Sequence, residues 1–334
     1  MPRSAFREDP AIERRSRPIR IGTRASKLAL TQSQWVADQL AAAHAGLVCH
    51  LVHITTSGDR QTTQPLPQIG GKGLFTRELE EALLRGDIDL AVHSLKDLPT
   101  QLPPGLVVAC VPIRAPANDA LIALERSPRA VGGDSPVLAL PPGARVGTSS
   151  PRRAAQLRLA RPDLTCLPIR GNLDTRLRKL AEGQADAIVL ALAGLARLGL
   201  VRLDEGGSFT RSSIPTEQTA LAVEALPFET MLPAPGQGAL AIEARAGGQG
   251  AAIAAAIADP AATVATTAER ALLDALGGGC SMPLGAYANL SGDALRLRAI
   301  LFSPDGSAVA RADRTGSAAD PAALARAVAQ ALSP

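Results

Sequence analysis

An α/β fold of two related lobes followed by a small α+β unit is what this sequence predicts, on three observations. Short apolar or β-branched runs alternate with amphipathic stretches, the signature of strands that cross over to helices. Two layouts recur in the same order along the chain. IRIGTRASKLAL (19–30) and ARVGTSSPRRAAQL (144–157) each read strand, Gly-Thr, hydroxyl and basic residues, helix; TRELEEALLRGDIDLAV (76–92) and TRLRKLAEGQADAIV (175–189) each read Thr-Arg, leucine-studded helix, Gly, Asp-containing strand. The third observation is a closing set of three strand-like runs before an alanine-rich helix.

Taken in order, the predicted strands are IRIGT (19–23), HLVHIT (50–55), DLAVHS (89–94), LVVACVP (106–112), ARVGT (144–148), LTCLPIR (164–170) and DAIVLA (186–191). Each is short, apolar or β-branched, and bounded by polar or turn residues. The predicted helices are 25–44, 74–86, 150–160, 173–183 and 263–277. In the last of these, Val264, Ala268, Ala271, Leu272, Ala275 and Leu276 share one helical face. Strands around 284–290, 294–302 and 307–311 and a helix from about 320 complete the C-terminal unit. The resulting domain expectation is a mobile tail over 1–17, a first lobe over 18–113 plus about 234–256, a second lobe over 114–233, and an α+β domain over 257–334. Two open sheets facing one another place a ligand between them, outside the carboxyl ends of the strands.

The 334 residues suffice for two or three domains. No apolar run is long enough to span a membrane. The opening MPRSAFREDPAIERRSRP lacks the apolar stretch of a secretory signal. Four cysteines without CxxC spacing suit a reducing cytoplasm. Lysine occurs only at 27, 72, 96 and 179, so arginine carries most of the positive charge. Arginine suits bidentate recognition of carboxylate or phosphate, although many single arginines are simply solvated. The net charge of +4 admits nucleic acid, but an aromatic content of 2% leaves few stacking platforms.

Cys49, Cys110 and Cys166 fall in apolar runs and read as small buried hydrophobes. Cys280 instead follows three glycines, on a loop that a large group can approach. It reads either as an ordinary free cysteine beside a turn or as a covalent attachment point or nucleophile. Both repeat copies set hydroxyls and cations at a helix start, where backbone N–H groups favour anions: Thr23, Arg24, Ser26 and Lys27 in one, Thr148, Ser149, Ser150, Arg152 and Arg153 in the other. N-capping explains one hydroxyl, but not three in a row followed by Arg-Arg. IRGNLDTR (169–176) puts Arg170 at a strand end, a turn at Gly171 and Arg176 in the next helix. GGKGLF (70–75), with Lys72 and Phe75, lacks P-loop spacing and reads as a lid. PAPGQGAL, with Gln237, reads as a crossing between domains. HSLKDLPT supplies Ser94, Lys96 and Asp97. Lys96 and Asp97 form either a loop ion pair or a cleft site whose ionised carboxylate stabilises a developing cation. The four histidines show no metal-ligand spacing, so no metal is expected.

RIGTRASKLALTQ, TSGDR, GGKGLF, DLAVHSLKDLPT, GTSSPRR, IRGNLDTRL, AGLARLGL, PAPGQGALAIE and AERALLDALGGGCSMPLGAY, in that order, resemble the hydroxymethylbilane synthase (porphobilinogen deaminase) family from about 19 to 302. The resemblance implies two periplasmic-binding-protein-like lobes plus a C-terminal domain. It implies an enzyme that joins four porphobilinogen molecules head to tail with loss of ammonia. The chain would grow on a dipyrromethane cofactor held by a thioether to Cys280, with Asp97 as the catalytic carboxylate. Lys96, Ser94, Thr148, Ser149, Ser150, Arg152, Arg153, Arg170 and Gly171 would bind the cofactor. Arg24, Ser26, Arg176, Arg197 and Gln237 would bind substrate, and Lys72 and Phe75 would belong to the lid. Each pyrrole carries an acetate and a propionate, which is why so many cations are needed. A cytoplasmic monomer with a small-molecule substrate and neither nucleic-acid nor membrane partners is expected.

Residues 203–228 are longer than the family commonly has there and are expected to add a surface excursion, and the run after 302 matches weakly. Two competing readings explain less. A binding module for a polycarboxylate accounts for the repeat and the arginines but not for Cys280 and Asp97 together, and nucleic-acid binding accounts only for the charge.

Overall fold

The computed structural model describes residues 17–60, 76–125, 135–217, 219–279 and 282–333. The expected N-terminal tail falls outside them except for its last residue, Arg17. Strands β1 (Ile19–Thr23), β2 (Cys49–His53), β3 (Leu90–Ser94) and β4 (Leu106–Cys110) belong to the first sheet. The second holds β5 (Asp119–Leu124), β6 (Arg145–Gly147), β7 (Thr165–Leu167), β8 (Ala187–Ala191), β9 (Arg211–Pro215) and β10 (Ala220–Ala225). The chain then returns, and β11 (Leu240–Arg245) inserts into the first sheet, giving the orders β2-β1-β3-β11-β4 and β7-β6-β8-β5-β10-β9. In both, a parallel triplet (β2-β1-β3, β7-β6-β8) is flanked by an antiparallel strand from the other side of a crossing, β11 or β5.

Helices cover both faces of each sheet. In the first, α1 (Lys27–Ala43) packs Val36 and Leu40 on Ile21, Leu90 and Ile242. On the opposite face α3 (Arg77–Arg85) packs Leu79 and Leu83 on Ala91, beyond the short α2 (Ser57–Arg60). In the second sheet α4 (Pro151–Ala160) and α5 (Leu173–Ala181) take the equivalent places, followed by α6 (Leu192–Arg197). Strands buried on both faces lose the in–out alternation of a one-sided sheet, as in Leu90–His93, where all four residues are buried.

The duplication extends to side chains. Arg20 bonds Asp89 through its backbone N–H (2.9 Å), Nε (3.1 Å) and Nη2 (3.0 Å), and Nη2 also reaches the Gly86 carbonyl. Arg145 repeats this on Asp186 at 2.8, 3.2 and 2.8 Å, with the Gly183 carbonyl in the equivalent place. The glycine of each Gly-Thr pair serves close packing: a Cβ on Gly22 would overlap Leu79 and Ile88, and one on Gly147 would lie 3.0 Å from Ile188. Gly22→Ala is expected to cost about 1–3 kcal/mol by overpacking, read as a lower urea midpoint at unchanged slope. An unchanged midpoint would mean that Leu79 and Ile88 yield freely.

After α7 (Gln249–Ala254), the C-terminal unit is a three-stranded antiparallel sheet, β12 (Leu284–Ser291), β13 (Ala294–Phe302) and β14 (Val309–Ser317), covered by α8 (Pro260–Ala275) and α9 (Pro321–Leu332). Asp259 and Asp320 cap these two helices, each followed by proline at the first helical position. Ala268 and Leu272 of the expected α8 face are buried in this core, with Val264, Ala271 and Leu276 packed against it. Among the described residues, no single helix is long and apolar enough to cross a membrane.

The surface excursion expected over 203–228 needs correction. From Arg211 onward it contains β9 and β10, and Leu221, Ala222 and Val223 are buried where β10 pairs with β5. The segment completes a sheet rather than leaving it. The sequence reading also missed β5, β11, α6 and α7.

Candidate active site

The groups at the carboxyl ends of β3 and β6 meet in one cavity of about 180 Å³, closed by the Ala234–Gln237 crossing and by Leu273, Gly279, Met282 and Leu284 of the C-terminal unit. Three units therefore contribute walls. On the first, β3 runs into a tight 3-10 turn, Leu95–Asp97. Leu95 is buried and its N–H donates to the Ala239 carbonyl at 3.0 Å, so the turn is pinned while Lys96 and Asp97 face the cavity.

On the second, Ser150 caps α4 by accepting from the Arg153 N–H, and Pro151 opens the helix. This brings Ser150, Arg152 and Arg153 to the cavity. Behind them lies a residue the sequence reading did not single out. Asp119, at the start of β5 and fully buried, accepts from Arg152 Nη1 at 2.7 Å and from Arg153 Nη2 and Nε at 2.7 and 3.0 Å. Burial pushes the Asp119 carboxyl up, but the charges and hydrogen bonds of Arg152 and Arg153 outweigh this and hold it well below the usual carboxylate range. Arg152 also donates to the Leu232 carbonyl (2.7 Å) and Arg153 to that of Val189 (3.0 Å).

Gln237 joins the two walls. Its amide donates to Asp119 Oδ1 at 3.0 Å and to the Ala117 carbonyl at 2.7 Å, and its oxygen accepts from Lys96 Nζ at 3.2 Å. Burial pulls the Lys96 ammonium down to about 8, despite the opposing pull of Asp97. A lowered lysine value means that the charge needed to bind a carboxylate is present below that pH and lost above it. We expect kcat/KM for an anionic substrate to fall on an alkaline limb near pH 8. In Lys96→Arg the limb should move beyond the accessible range. An alkaline limb unaltered by that substitution would assign it to another group.

The remaining expected site residues divide. Arg176, early in α5, is pushed down by burial and by the neighbouring Arg153 and Arg170 charges, with Asp97 opposing, so these four groups share one field. Its Nε donates to the carbonyl of Gly171, whose φ of +112° no side chain tolerates readily. The hydroxyls already have protein partners. Thr148 Oγ1 accepts from the Ser150 N–H, Ser149 Oγ donates to the Ile169 carbonyl, Ser26 caps α1, and Ser94 accepts from Gln32. Of the three hydroxyls in a row, capping accounts for one, Ser150; Thr148 closes the turn before it and Ser149 ties that turn to Ile169, just beyond β7. Arg24 is half-buried just after β1.

Arg197 does not line the cavity that holds Asp97. It faces a second one of about 1030 Å³, with Trp35, Arg114, Phe209, Phe228 and Tyr287, and its Nη2 donates to the Gly238 carbonyl at 2.6 Å. Burial pulls it down to about 10. Arg114, also missed, forms a two-pronged pair with buried Glu269 of α8 (2.8 and 2.9 Å) and donates to the Gln237 carbonyl at 3.0 Å. No local motif marks Arg114 or Asp119, since their partners lie far along the chain. Cys280, Lys72 and Phe75 lie outside the described residues. Gly279 and Met282, on either side of position 280, line the Asp97 cavity.

A family model described as porphobilinogen deaminase, dipyromethane cofactor binding domain, matches residues 19–252, and one described as porphobilinogen deaminase, C-terminal domain, matches 263–333. The chain is 50% identical over 315 residues to a porphobilinogen deaminase of Roseiflexus castenholzii, covering 94% of this chain and 95% of the relative. It is 46% identical over 319 residues to one of Acidothermus cellulolyticus, covering 94% and 88%. Among solved structures, the periplasmic VFT2 domain of Bordetella pertussis BvgS is 16% identical with a TM-score of 0.38, over 72% of this chain and 86% of that one.

Proposed function

The chain belongs to the porphobilinogen deaminase family, and from that premise we propose how its own residues carry the reaction. It is a hydroxymethylbilane synthase, a transferase that condenses porphobilinogen stepwise with release of ammonia, and its cofactor is dipyrromethane. The residues present fit that group, a pair of pyrroles each bearing an acetate and a propionate. Lys96, Arg152 and Arg153 offer cations to one cavity, and the residues flanking position 280 line the same space. Cys280 would anchor the group by a thioether. When bound, it supplies a free pyrrole α-carbon as the acceptor for the first substrate.

The chain's own groups do the rest. Arg152 and Arg153, oriented by Asp119, neutralise ring carboxylates, with Lys96 beside them. Arg170 and Arg176 extend this field along the second lobe. Arg24 and Ser26 would bind substrate from the first lobe, while Arg197 would do so from the neighbouring cavity. Thr148, Ser150 and Gly171 shape the turns that set these side chains, Ser94 and Ser149 tie them to Gln32 of α1 and to Ile169, and Gln237 spans the walls. The observation that carries the reading is Asp97. Among the described residues lining the cavity it is the one acid, set among cations on a pinned turn. Its carboxylate would accept hydrogen bonds from pyrrole N–H groups and stabilise the cation that develops as ammonia leaves the substrate.

We further propose lobes over 18–113 plus about 234–256 and over 114–233, with a third domain over 257–334, a division that sheet membership supports. A cytoplasmic monomer without nucleic-acid or membrane partners completes the proposal; the free thiols of Cys49, Cys110 and Cys166 suit a reducing compartment. The test is the intact mass of denatured protein beside a Cys280→Ser variant. An added mass of two condensed porphobilinogen units in wild type alone supports the anchor. The same added mass in both proteins would place the attachment elsewhere.

A further inference from the structure

Helix α8 leads directly into the glycine loop before Cys280, and it also grips the chain just beyond Asp97. Arg270 Nη1 donates to the Leu98 carbonyl at 3.0 Å, and Nη2 to those of Pro99 (2.7 Å) and Thr100 (3.3 Å). These three consecutive carbonyls lie outside any strand, and Pro99 offers no N–H for a ladder, so a guanidinium with donors in a fixed fork supplies their partners. One turn later Asp274 Oδ1 accepts from Thr100 Oγ1 at 2.9 Å and from Gln101 Nε2 at 3.4 Å.

Asp274 also stands in the last turn of the helix, just before the loop. Its carbonyl accepts from the Gly277 N–H at 2.8 Å, while that of Leu273 accepts from Gly278 at 3.0 Å. Gly277 takes φ +64°, the left-handed geometry that turns a chain out of a helix. One residue thus holds the Asp97 side through its side chain and Gly277, at the start of the glycine run, through its backbone. The neighbouring Glu269 holds the Ala234–Gln237 crossing, accepting from Arg114 and from the Gly236 N–H at 2.7 Å.

We infer that Arg270 and Asp274 are positioning residues that set the Asp97 turn against the Gly277–Gly279 segment that leads to position 280, so that the carboxylate meets the reacting ring of the growing chain. This rests on the roles proposed above for Asp97 and Cys280. A misplacement of about 1 Å at a reacting centre costs on the order of 10²-fold in rate. Plain interface packing would cost stability without altering turnover in the folded enzyme.

Arg270→Ala, Arg270→Lys and Thr100→Val should be compared with wild type and Asp97→Asn well below their melting temperatures. Three quantities are read: kcat and KM for porphobilinogen, the fraction carrying dipyrromethane by intact mass, and amide hydrogen exchange over 95–100. Arg270→Ala is expected to lose about 10²-fold in kcat with KM near wild type. Its exchange over 95–100 should quicken. Arg270→Lys, which keeps the charge but not the fork, should fall between. Should Arg270→Ala fail to fold, Arg270→Lys and Thr100→Val decide by the same split. Wild-type kcat in the folded Arg270 and Thr100 variants, with Asp97→Asn slowed about 10²–10³-fold, overturns the positioning role and leaves the site assignment intact. Near-normal turnover in Asp97→Asn removes the premise and the inference with it.

Discussion

Asp97→Asn is expected to lower kcat by about 10²–10³-fold while dipyrromethane stays attached and porphobilinogen still binds. The substitution keeps size and shape, removes the charge and replaces one acceptor oxygen by an N–H donor. The surroundings explain why that charge matters. Lys96, Arg152 and Arg153 line the same cavity, and Arg176 shares the field of Arg153 and Asp97. Those cations suit the carboxylates of substrate and product but oppose a positive charge developing on the reacting carbon. In the proposed role Asp97 offsets that opposition at the reacting carbon. Its turn is held by the buried Leu95 and the Leu95–Ala239 hydrogen bond, so little reorganisation is needed when charge appears. Single-turnover mixing with porphobilinogen, followed by intact mass, separates binding from chemistry. Slow appearance of each added ring with unchanged dipyrromethane loading supports the role, and near-normal turnover rejects it.

What the sequence disclosed depends on whether the partners were local. Ser150-Pro151 announces a helix start by itself, and β6, α4 and Ser150 follow from residues within one turn of each other. The duplicated layout is also a local signal repeated, and it extends to the Arg20–Asp89 and Arg145–Asp186 ties. By contrast, β5 and β11 each leave a glycine- or proline-rich crossing and pair with strands far away in the chain. In β11, Leu240–Ala244 are all buried, and Glu243 is accepted in the core because His93 Nε2 lies 2.9 Å from its Oε2. An acid in such a run hides the strand from any hydrophobic pattern. For the same reason β10 passed for an excursion: its partner β5 had itself gone unseen.

The candidate site divides along the same line. Lys96, Asp97, Arg152 and Arg153 stand in recognisable runs, and they do meet in one cavity. Asp119 stands in NDAL, with nothing local to mark it. Its meaning comes from Arg152 and Arg153, 33 and 34 residues on, and from Gln237, 118 residues on. The sequence pointed to two arginines for carboxylates and could not say what orients them. A guanidinium pair in a nearly dry site needs a counter-charge that folds with it, because desolvating two like charges together is costly.

Asp119→Asn is therefore expected to lose about 3–5 kcal/mol of unfolding free energy, the cost of leaving buried cations without their partner. That is a large share of the ~5–15 kcal/mol typical of a folded domain. Asp119 is 0% exposed, Arg152 4% and Arg153 7%, so water cannot replace the lost charge. The pH dependence has a definite sign. A carboxyl whose folded value is depressed stabilises the fold fully above its unfolded value of about 3.9 and loses that contribution as pH falls towards the folded one. The gap between wild type and variant in urea unfolding should stay constant from neutral pH to about 5 and close only below about 4. A functional consequence accompanies it. Freed from Asp119, the two guanidiniums lose their fixed aim at the cavity, so intact mass should show a smaller fraction of the purified variant carrying dipyrromethane. Wild-type stability in the variant would mean that the Leu232 and Val189 carbonyls and the cavity itself satisfy the arginines, and that the carboxylate is dispensable to the fold.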